Sequence, residues 1–467
     1  MVFTALFALW MFCMLWNGVA VLPLIVVPLI VGVCVGTFQP SRRAPLAALL
    51  GFGAGTLLTR LVPLFSGYYN EQAYRQTLAA EHRSSGFSLV GALLVCALIA
   101  ELSARVDWTR RQRQVLSALL VAFLCLNVVW RVITFSPDIA RVLAVEPPDH
   151  SYAFDGLITL KTVYLMRQGM GYYAAFGRAS RMDQRPFNDR MATSMRMPVL
   201  FWIWRALPGP VWILYGAWVM SIVCMLASWW LLARGRDPVV ALLAPASLGA
   251  FWIYPQMSYW VVYPDMWFAF PAVLSVIAFL DGRRSLAALL ALLAFTFREF
   301  GGALFIAGFW ACAVERRWRD LAVWAALFAA GLVGYHLHDR ASHAALGLDM
   351  AHMIGSRYDA SVAFSFSTLL FGSVFIVARD LLLPVLAVIA VAAPFVLPRR
   401  ADGLMVGIPV LVHMLAFVWF GEPGSSQYYG FAYVPLLLFG ASCVFATRVP
   451  SGATVDSATV DSAQAAL

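Results

Sequence analysis

The sequence predicts an all-α protein, a polytopic transmembrane helix bundle of about fourteen spans whose external loops carry short amphipathic helices. Three observations predict it. Apolar residues make up 62% of the 467 residues and charged residues only 12%, against roughly half and roughly a quarter in a soluble domain. The apolar residues gather into runs near the length, about 20 residues, that crosses a hydrocarbon layer about 30 Å thick. The breaks between the runs carry arginine. A mean hydropathy of +0.78 excludes a soluble globular enzyme and a disordered chain alike.

In chain order, spans are expected near 3–17, 21–38, 44–65 and 87–104, which form an additional N-terminal group over residues 1–104. The first run, MVFTALFALWMFCMLW, has neither a basic leader nor a small-residue cleavage site, so it reads as a retained span and not as a signal peptide. The main body, residues 105–447, continues with runs near 115–135, 209–233, 238–254, 259–280, 285–297, 300–314, 320–338, 378–397, 403–420 and 428–447. The runs at 285–297 and 300–314 are short and read as bent or partly embedded. Residues 448–467 repeat TVDSA twice with little apolar surface, the composition of a disordered tail.

Arginine fixes the expected orientation. With these spans, Arg42 and Arg43, the group from Arg105 to Arg113, Arg234 and Arg236, Arg283 and Arg284, Arg316 to Arg319, Arg399 and Arg400, and Arg448 all fall on one side. Short basic loops are cytoplasmic, so both termini are expected there too. The two long loops, 136–208 and 338–377, then lie outside, together with the shorter GEPGSSQYYG. Within the first, SYAFDGLITLKTVYLMR reads as a helix and PVLFWIWRALPG as an amphipathic helix lying in the interface. Polar chemistry is therefore expected at the external membrane face. The arginine-over-lysine usage, with Lys161 the one lysine, is that of a GC-rich genome, and a bacterial inner or plasma membrane is the expected location.

The formal charge of +9 points to anionic membrane lipid. No basic run interleaved with aromatics lies in a soluble segment, so no nucleic-acid partner is expected. All seven cysteines fall inside apolar runs and read as packing residues. No phosphate-binding glycine loop, nucleophile elbow or HExxH pair is present.

The main chemical signal is PDHSYAFDGLITLKTVYLMRQGMGYY, an acid just past a span, then a helix, a glycine turn and paired tyrosines. YWVVYPDMW follows at a later external end. RRSLAALLALLAFTFREFGGALFIAGFWACAVERRWRD then sets two short apolar runs around an Arg-Glu pair. Over residues 115–447 this order resembles the GT-C superfamily of integral-membrane glycosyltransferases, which use polyprenyl-phosphate sugars. The four N-terminal spans lie outside the resemblance.

The resemblance implies that Asp149, beside His150, is the general base on an acceptor hydroxyl, a task that needs a carboxylate within hydrogen-bond reach of the attacking oxygen. Asp155 is the alternative acid. Equally, Asp149 fits a helix cap and Asp155 a solvated helix face. Asp265 reads as a second acid that orients the acceptor, or as an interfacial cap. An ionisable pair inside a membrane is costly and points to function, so Arg298 is assigned to the donor phosphate with Glu299 holding its geometry. A structural ion pair is the plainer alternative. Arg340 and Arg357 are further phosphate candidates. The histidines beside them, His336, His338, His343 and His352, have loose spacing, so no metal ligand set is assigned and a divalent cation is left open. Tyr172, Tyr173, Gln427 and Tyr428 suit sugar contact or interfacial anchoring. The basic residues from Arg178 to Arg196 read as a solvated loop face ahead of an anionic acceptor site.

The expected partners are a polyprenyl-phosphate-linked sugar donor, a glycan, lipid or protein acceptor, and membrane lipid. The rival readings are a transporter or flippase of lipid-linked sugars, which predicts charges at mid-membrane in broken helices, and a non-catalytic scaffold, which predicts that Asp149 and Arg298 tolerate substitution.

Overall fold

A computed structural model describes residues 1–16, 22–65, 86–135, 137–147, 155–181, 195–256, 259–346, 362–371, 378–420 and 427–448. Among them all regular structure is helical. The helices are α1 (Val2–Leu15), α2 (Leu22–Phe38), α3 (Ala44–Phe65), α4 (Gly86–Ala104), α5 (Arg110–Phe135), α6 (Pro137–Ala144), α7 (Asp155–Arg167), α8 (Tyr172–Arg181), α9 (Val199–Ala206) and α10 (Val211–Gly235). They continue as α11 (Leu243–Gln256), α12 (Pro264–Leu280), α13 (Arg284–Phe297), α14 (Gly302–Val314), α15 (Trp318–Leu346), α16 (Val362–Phe371), α17 (Arg379–Val391), α18 (Ala393–Val396), α19 (Arg400–Phe420) and α20 (Gly430–Arg448).

Among the described residues, five helical stretches are long and apolar enough to cross a membrane: Arg110–Trp130, Val211–Gly235, Trp318–Ala345, Arg400–Val418 and Gly430–Thr447. Eight further apolar stretches run 10–17 residues, or about 15–26 Å at 1.5 Å per residue. The expected span over 378–397 is split instead, α17 ending at Val391 and α18 covering Ala393–Val396. Pro384 lies inside α17 and Pro394 opens α18, and proline removes a backbone donor and crowds the preceding turn.

The surface of α10 explains what solvent the bundle expects. Ile213, Leu214, Ala217, Ser221, Cys224, Met225 and Ser228 face inward. Trp212, Tyr215, Val219, Val223, Leu226 and Trp230 form the exposed stripe at three- and four-residue spacing. Both faces are apolar, a pattern of helices surrounded by lipid. Trp212 and Tyr215 lie near one end and Trp230 near the other, 15 to 18 residues apart, or about 22–27 Å, where interfacial aromatic belts belong. Arg234 stacks over Trp230, 3.2 Å from the ring centroid.

The core sits around α20, whose spanning window is 94% buried, while that of α15 is 17% buried and forms the rim. α20 packs on α11, α12, α17 and α19. The N-terminal helices α1–α4 pack on one another and meet the rest through α1, which lies on α11 and reaches α20. There Trp10 Nε1 donates to Ser247 Oγ at 3.0 Å and its ring meets Phe445 edge-on at 5.6 Å. Within this group α2 and α4 approach closely over Gly32 and Gly36. A β-carbon at Gly36 would collide with the Ala100 carbonyl and the Ser103 side chain, and one at Gly32 would lie 2.7 Å from the Cys96 carbonyl. Small residues four apart allow this contact, in which packing replaces the hydrophobic effect. The seven cysteines are free and buried, consistent with packing residues.

Two polar ends result. At one, Arg113 pairs with Asp237 at 2.8 Å, Arg283 with Asp281 at 2.9 Å, and Arg284 with Glu315. The other holds Asp265 in the first turn of α12 and Arg298 immediately after α13. α12 and α13 connect the two ends.

Replacing Gly36 by Leu is expected to destabilise the protein by about 1–3 kcal/mol through overpacking. Gly91→Leu, where a β-carbon meets nothing within 4 Å, should be close to neutral. Thermal unfolding of both variants in detergent micelles checks this.

Candidate functional site

The site forms where α12 begins, α13 ends and the helices α7, α8 and α9 lie over them. α13 stops at Phe297 because Arg298 turns extended, at φ −151° and ψ 133°. A short 3-10 turn, Glu299–Gly301, then leads into α14. The break lets the Arg298 side chain return into the bundle. Its guanidinium has no exposed surface, and Nη2 lies 2.7 Å from Asp265 Oδ1, itself 1% exposed. Phe300 and Tyr429 lie against the same guanidinium, with ring centroids 4.5 and 5.1 Å away.

Glu299 Oε1 lies 3.7 Å from Arg298 Nη1 and accepts from Arg196 Nη1 at 3.4 Å. Two guanidinium groups and two carboxylates therefore share one region. Among the described residues, Arg298 Nε, Nη1 and Nη2 are buried without an aligned hydrogen bond. Nη2 is close to Asp265 but poorly directed, so the pair is held by charge more than by hydrogen bonding.

Arg196 owes its position to neighbours on two helices, α8 and α15. Its backbone carbonyl accepts from the Tyr172 hydroxyl. The preceding Met195 carbonyl accepts from His338 Nε2 at 3.1 Å, and Tyr173 OH lies 3.2 Å from His338 Nδ1. These contacts select the Nε2–H tautomer, leaving Nδ1 to accept from the phenol. Burial and the adjacent Tyr173 push the Tyr172 phenol well above its ordinary range, so it remains a donor. Burial alone disfavours the Arg196 charge, but Glu299, Tyr429, Asp265 and Tyr428 more than offset that and raise its pKa.

α9 continues this support. Leu200, Phe201 and Trp204 pack inward, and Trp202 and Ile203 are exposed, as expected for a helix lying at an interface. Arg167 closes its C-terminal end, donating to the carbonyls of Arg205 at 3.2 Å, Leu207 at 2.6 Å and Pro208 at 2.8 Å.

Between these elements lies a cleft lined by Ile158, Thr159, Phe176, Arg196, Phe201, Tyr263, Pro264, Asp265 and Tyr428. The space it offers to water measures about 30 Å³, room for one or two water molecules. Tyr263 and Tyr428 meet edge to face at 4.7 Å, and Trp260 stacks behind them at 4.7 Å from Tyr263. Gly156 passes so close to this wall that a β-carbon there would lie 2.6 Å from the Tyr263 ring. The cleft thus combines a guanidinium, a carboxyl side chain and aromatic faces.

The expected residues divide clearly. Asp265, Arg298, Glu299 and Tyr428 converge. Arg298 lies behind Asp265 and not on the cleft wall. Tyr172 supports Arg196 and is buried against Phe201 at 4.9 Å. Tyr173 leans on His338. Arg340 is exposed on α15. Asp155 begins α7, one turn before Ile158 and Thr159, and the Gln427 backbone lies in the 3-10 turn before α20. Asp149, His150 and Arg357 lie outside the described residues. His343 Nδ1 reaches the Asp339 carbonyl of its own helix at 2.7 Å. Among the described residues no three His, Cys, Asp or Glu side chains gather to hold a metal ion.

Arg196 is the principal residue that the sequence reading left among solvated loop charges. The available signal was MRMP, one arginine between two methionines at the entry to an apolar helix. No family model, curated protein or solved structure matches the chain.

Arg298→Met or Asp265→Leu alone strands a buried charge and is expected to cost about 3–5 kcal/mol. The double variant should lose less than either single one. Denaturation in micelles measures all three, and additive losses would show that the two side chains do not act as a pair.

Proposed function

We propose that the chain is a GT-C-like membrane glycosyltransferase that moves a sugar from a polyprenyl-phosphate carrier to an acceptor hydroxyl at the external membrane face. The observation that carries this reading is the cleft in which Arg196, Asp265 and the aromatic residues Tyr263 and Tyr428 converge, above the buried Arg298 and Asp265 pair. Arginine suits phosphate oxygens, aromatic faces suit sugar rings, and a carboxylate suits a hydroxyl. The charges lie at helix ends, Asp265 in the first turn of α12 and Arg298 just beyond α13. A transporter reading instead asks for them at mid-membrane.

The fourteen-span arrangement with cytoplasmic termini belongs to the same proposal. Its support is the gathering of the short arginine-bearing loops at the opposite end of the bundle, where Arg110 reaches the Arg234 carbonyl at 3.3 Å and Arg113 reaches Asp237. Helices shorter than the hydrocarbon layer are accommodated by being enclosed among longer ones, as α12 is, with 15 of its 17 residues buried.

In the reaction, the acceptor oxygen attacks the anomeric carbon and the bond from that carbon to the phosphate oxygen breaks. The phosphate leaves on its lipid, and a carboxylate takes the hydroxyl proton. The base is drawn from Asp149 and Asp155. One observation favours Asp155: its helix supplies Ile158 and Thr159 to the cleft wall. Arg196 on the cleft wall meets the phosphate, Arg298 adds its charge from behind, and Asp265 and Glu299 hold the two guanidinium groups.

Purified protein is expected to release sugar from one member of a panel of synthetic polyprenyl-phosphate sugars. Asp149→Asn or Asp155→Asn should lower that rate about 10²–10⁴-fold. Folded protein that binds the lipids and turns over none of them would favour a transporter. Unchanged rates in both variants would remove these acids from the mechanism.

A further inference from the structure

Glu299 stands apart from its partners. Its side chain is 39% exposed, whereas Arg196 is 12%, Asp265 1% and Arg298 0% exposed. It begins a one-turn 3-10 segment, while the Arg196 backbone is fixed through Tyr172, and Met195 beside it through His338. One oxygen, Oε1, faces both guanidinium groups, at 3.4 Å from Arg196 and 3.7 Å from Arg298. Both distances are long for charge-assisted hydrogen bonds, which run about 2.7–2.9 Å. Arg298 Nε and Nη1 are meanwhile buried without a hydrogen-bond partner among the described residues. A buried donor left unmade is costly, so an oxygen that approached more closely would be favoured.

We propose that Glu299 is a built-in stand-in for substrate, its carboxylate oxygen occupying an anion seat between Arg196 and Arg298 that a lipid-borne phosphodiester takes over on binding. The inference rests on the reading of the cleft as a lipid-phosphate site and deepens it. Among the described residues, two guanidinium groups face Asp265 and Glu299. When Glu299 turns outward the seat gives up one negative charge. A phosphodiester carries one negative charge and replaces Glu299 charge for charge. The exposed Trp202 and Ile203 on α9, a few residues beyond Arg196, set the seat at the level of a lipid headgroup. The competition is an electrostatic exchange in which no bond is made or broken.

The test uses full-length protein in lipid nanodiscs and a probe without sugar, farnesyl methyl phosphate, so that binding is read separately from transfer. Glu299→Gln is expected to tighten binding about tenfold, which is about 1.4 kcal/mol. Arg196→Gln should weaken it at least tenfold by the same scale, and Arg196→Lys should recover part of the loss. In the Arg196→Gln/Glu299→Gln double variant the gain from Glu299→Gln should shrink, the signature of coupled residues. Inorganic phosphate should bind more weakly than the farnesyl diester. Unchanged or weakened binding by Glu299→Gln would overturn the proposal, as would absence of probe binding to the wild type. Equal binding of inorganic phosphate with the same variant pattern would overturn the lipid source. The expected binding pattern in a protein that transfers no sugar would sink the transferase reading and leave the seat intact.

Discussion

A guanidinium with no exposed surface must be neutralised where it sits, and at Arg298 that requirement organises one end of the protein. Transfer of an unpaired ion into a low-dielectric interior is too costly to survive folding. α13 therefore ends where it can return Arg298 inward, and α12 begins with Asp265 in its first turn. Phe300 and Tyr429 cover the cation, and Glu299 meets it from the exposed side. The pair contributes less to net stability than to fixing the register of α12, α13 and α14, because an apolar substitute of similar volume would pack as well. The pair lies directly beneath the cleft, whose wall includes Asp265.

The cleft depends on a second level of support. Arg167, Tyr172 and His338 do not line it. They hold the carbonyls of α9 and of Met195 and Arg196. A long loop placed over a bundle end would otherwise leave its cation free to sample solvent. Here one arginine is fixed at the wall while its carboxylate partner stays half exposed. In the proposed lipid-phosphate site that asymmetry has a use, since one group has to yield and the other has to remain. The outward stripe of α10 and the outward residues Trp202 and Ile203 of α9 are apolar and exposed.

Much of the fold was legible in the sequence, because apolar runs and arginine breaks follow directly from the cost of placing backbone and charge in hydrocarbon. The helices at 211–235 and 430–448 fall where the runs predict them. The run at 378–397 was read as continuous although Pro384 and Pro394 mark the strain that divides it. Of the site, Asp265, Arg298 and Glu299 were visible as ionisable residues beside apolar runs. Arg196 was hidden, because loop charge is ordinarily solvated, and its burial depends on contacts from α8 and α15 more than a hundred residues apart in part. The role of Tyr172 was hidden for the same reason. It donates to a backbone carbonyl, a partner that carries no sequence signal.

The most direct measurement of the central claim is a cryo-electron microscopy structure of the full-length protein in nanodiscs with a non-hydrolysable prenyl phosphonate sugar. The account predicts phosphonate density between Arg196 and Arg298, the sugar against Tyr263 and Tyr428, and Glu299 turned toward solvent. Phosphonate density at mid-membrane, or at the end of the bundle that holds Arg113 and Arg284, would contradict it.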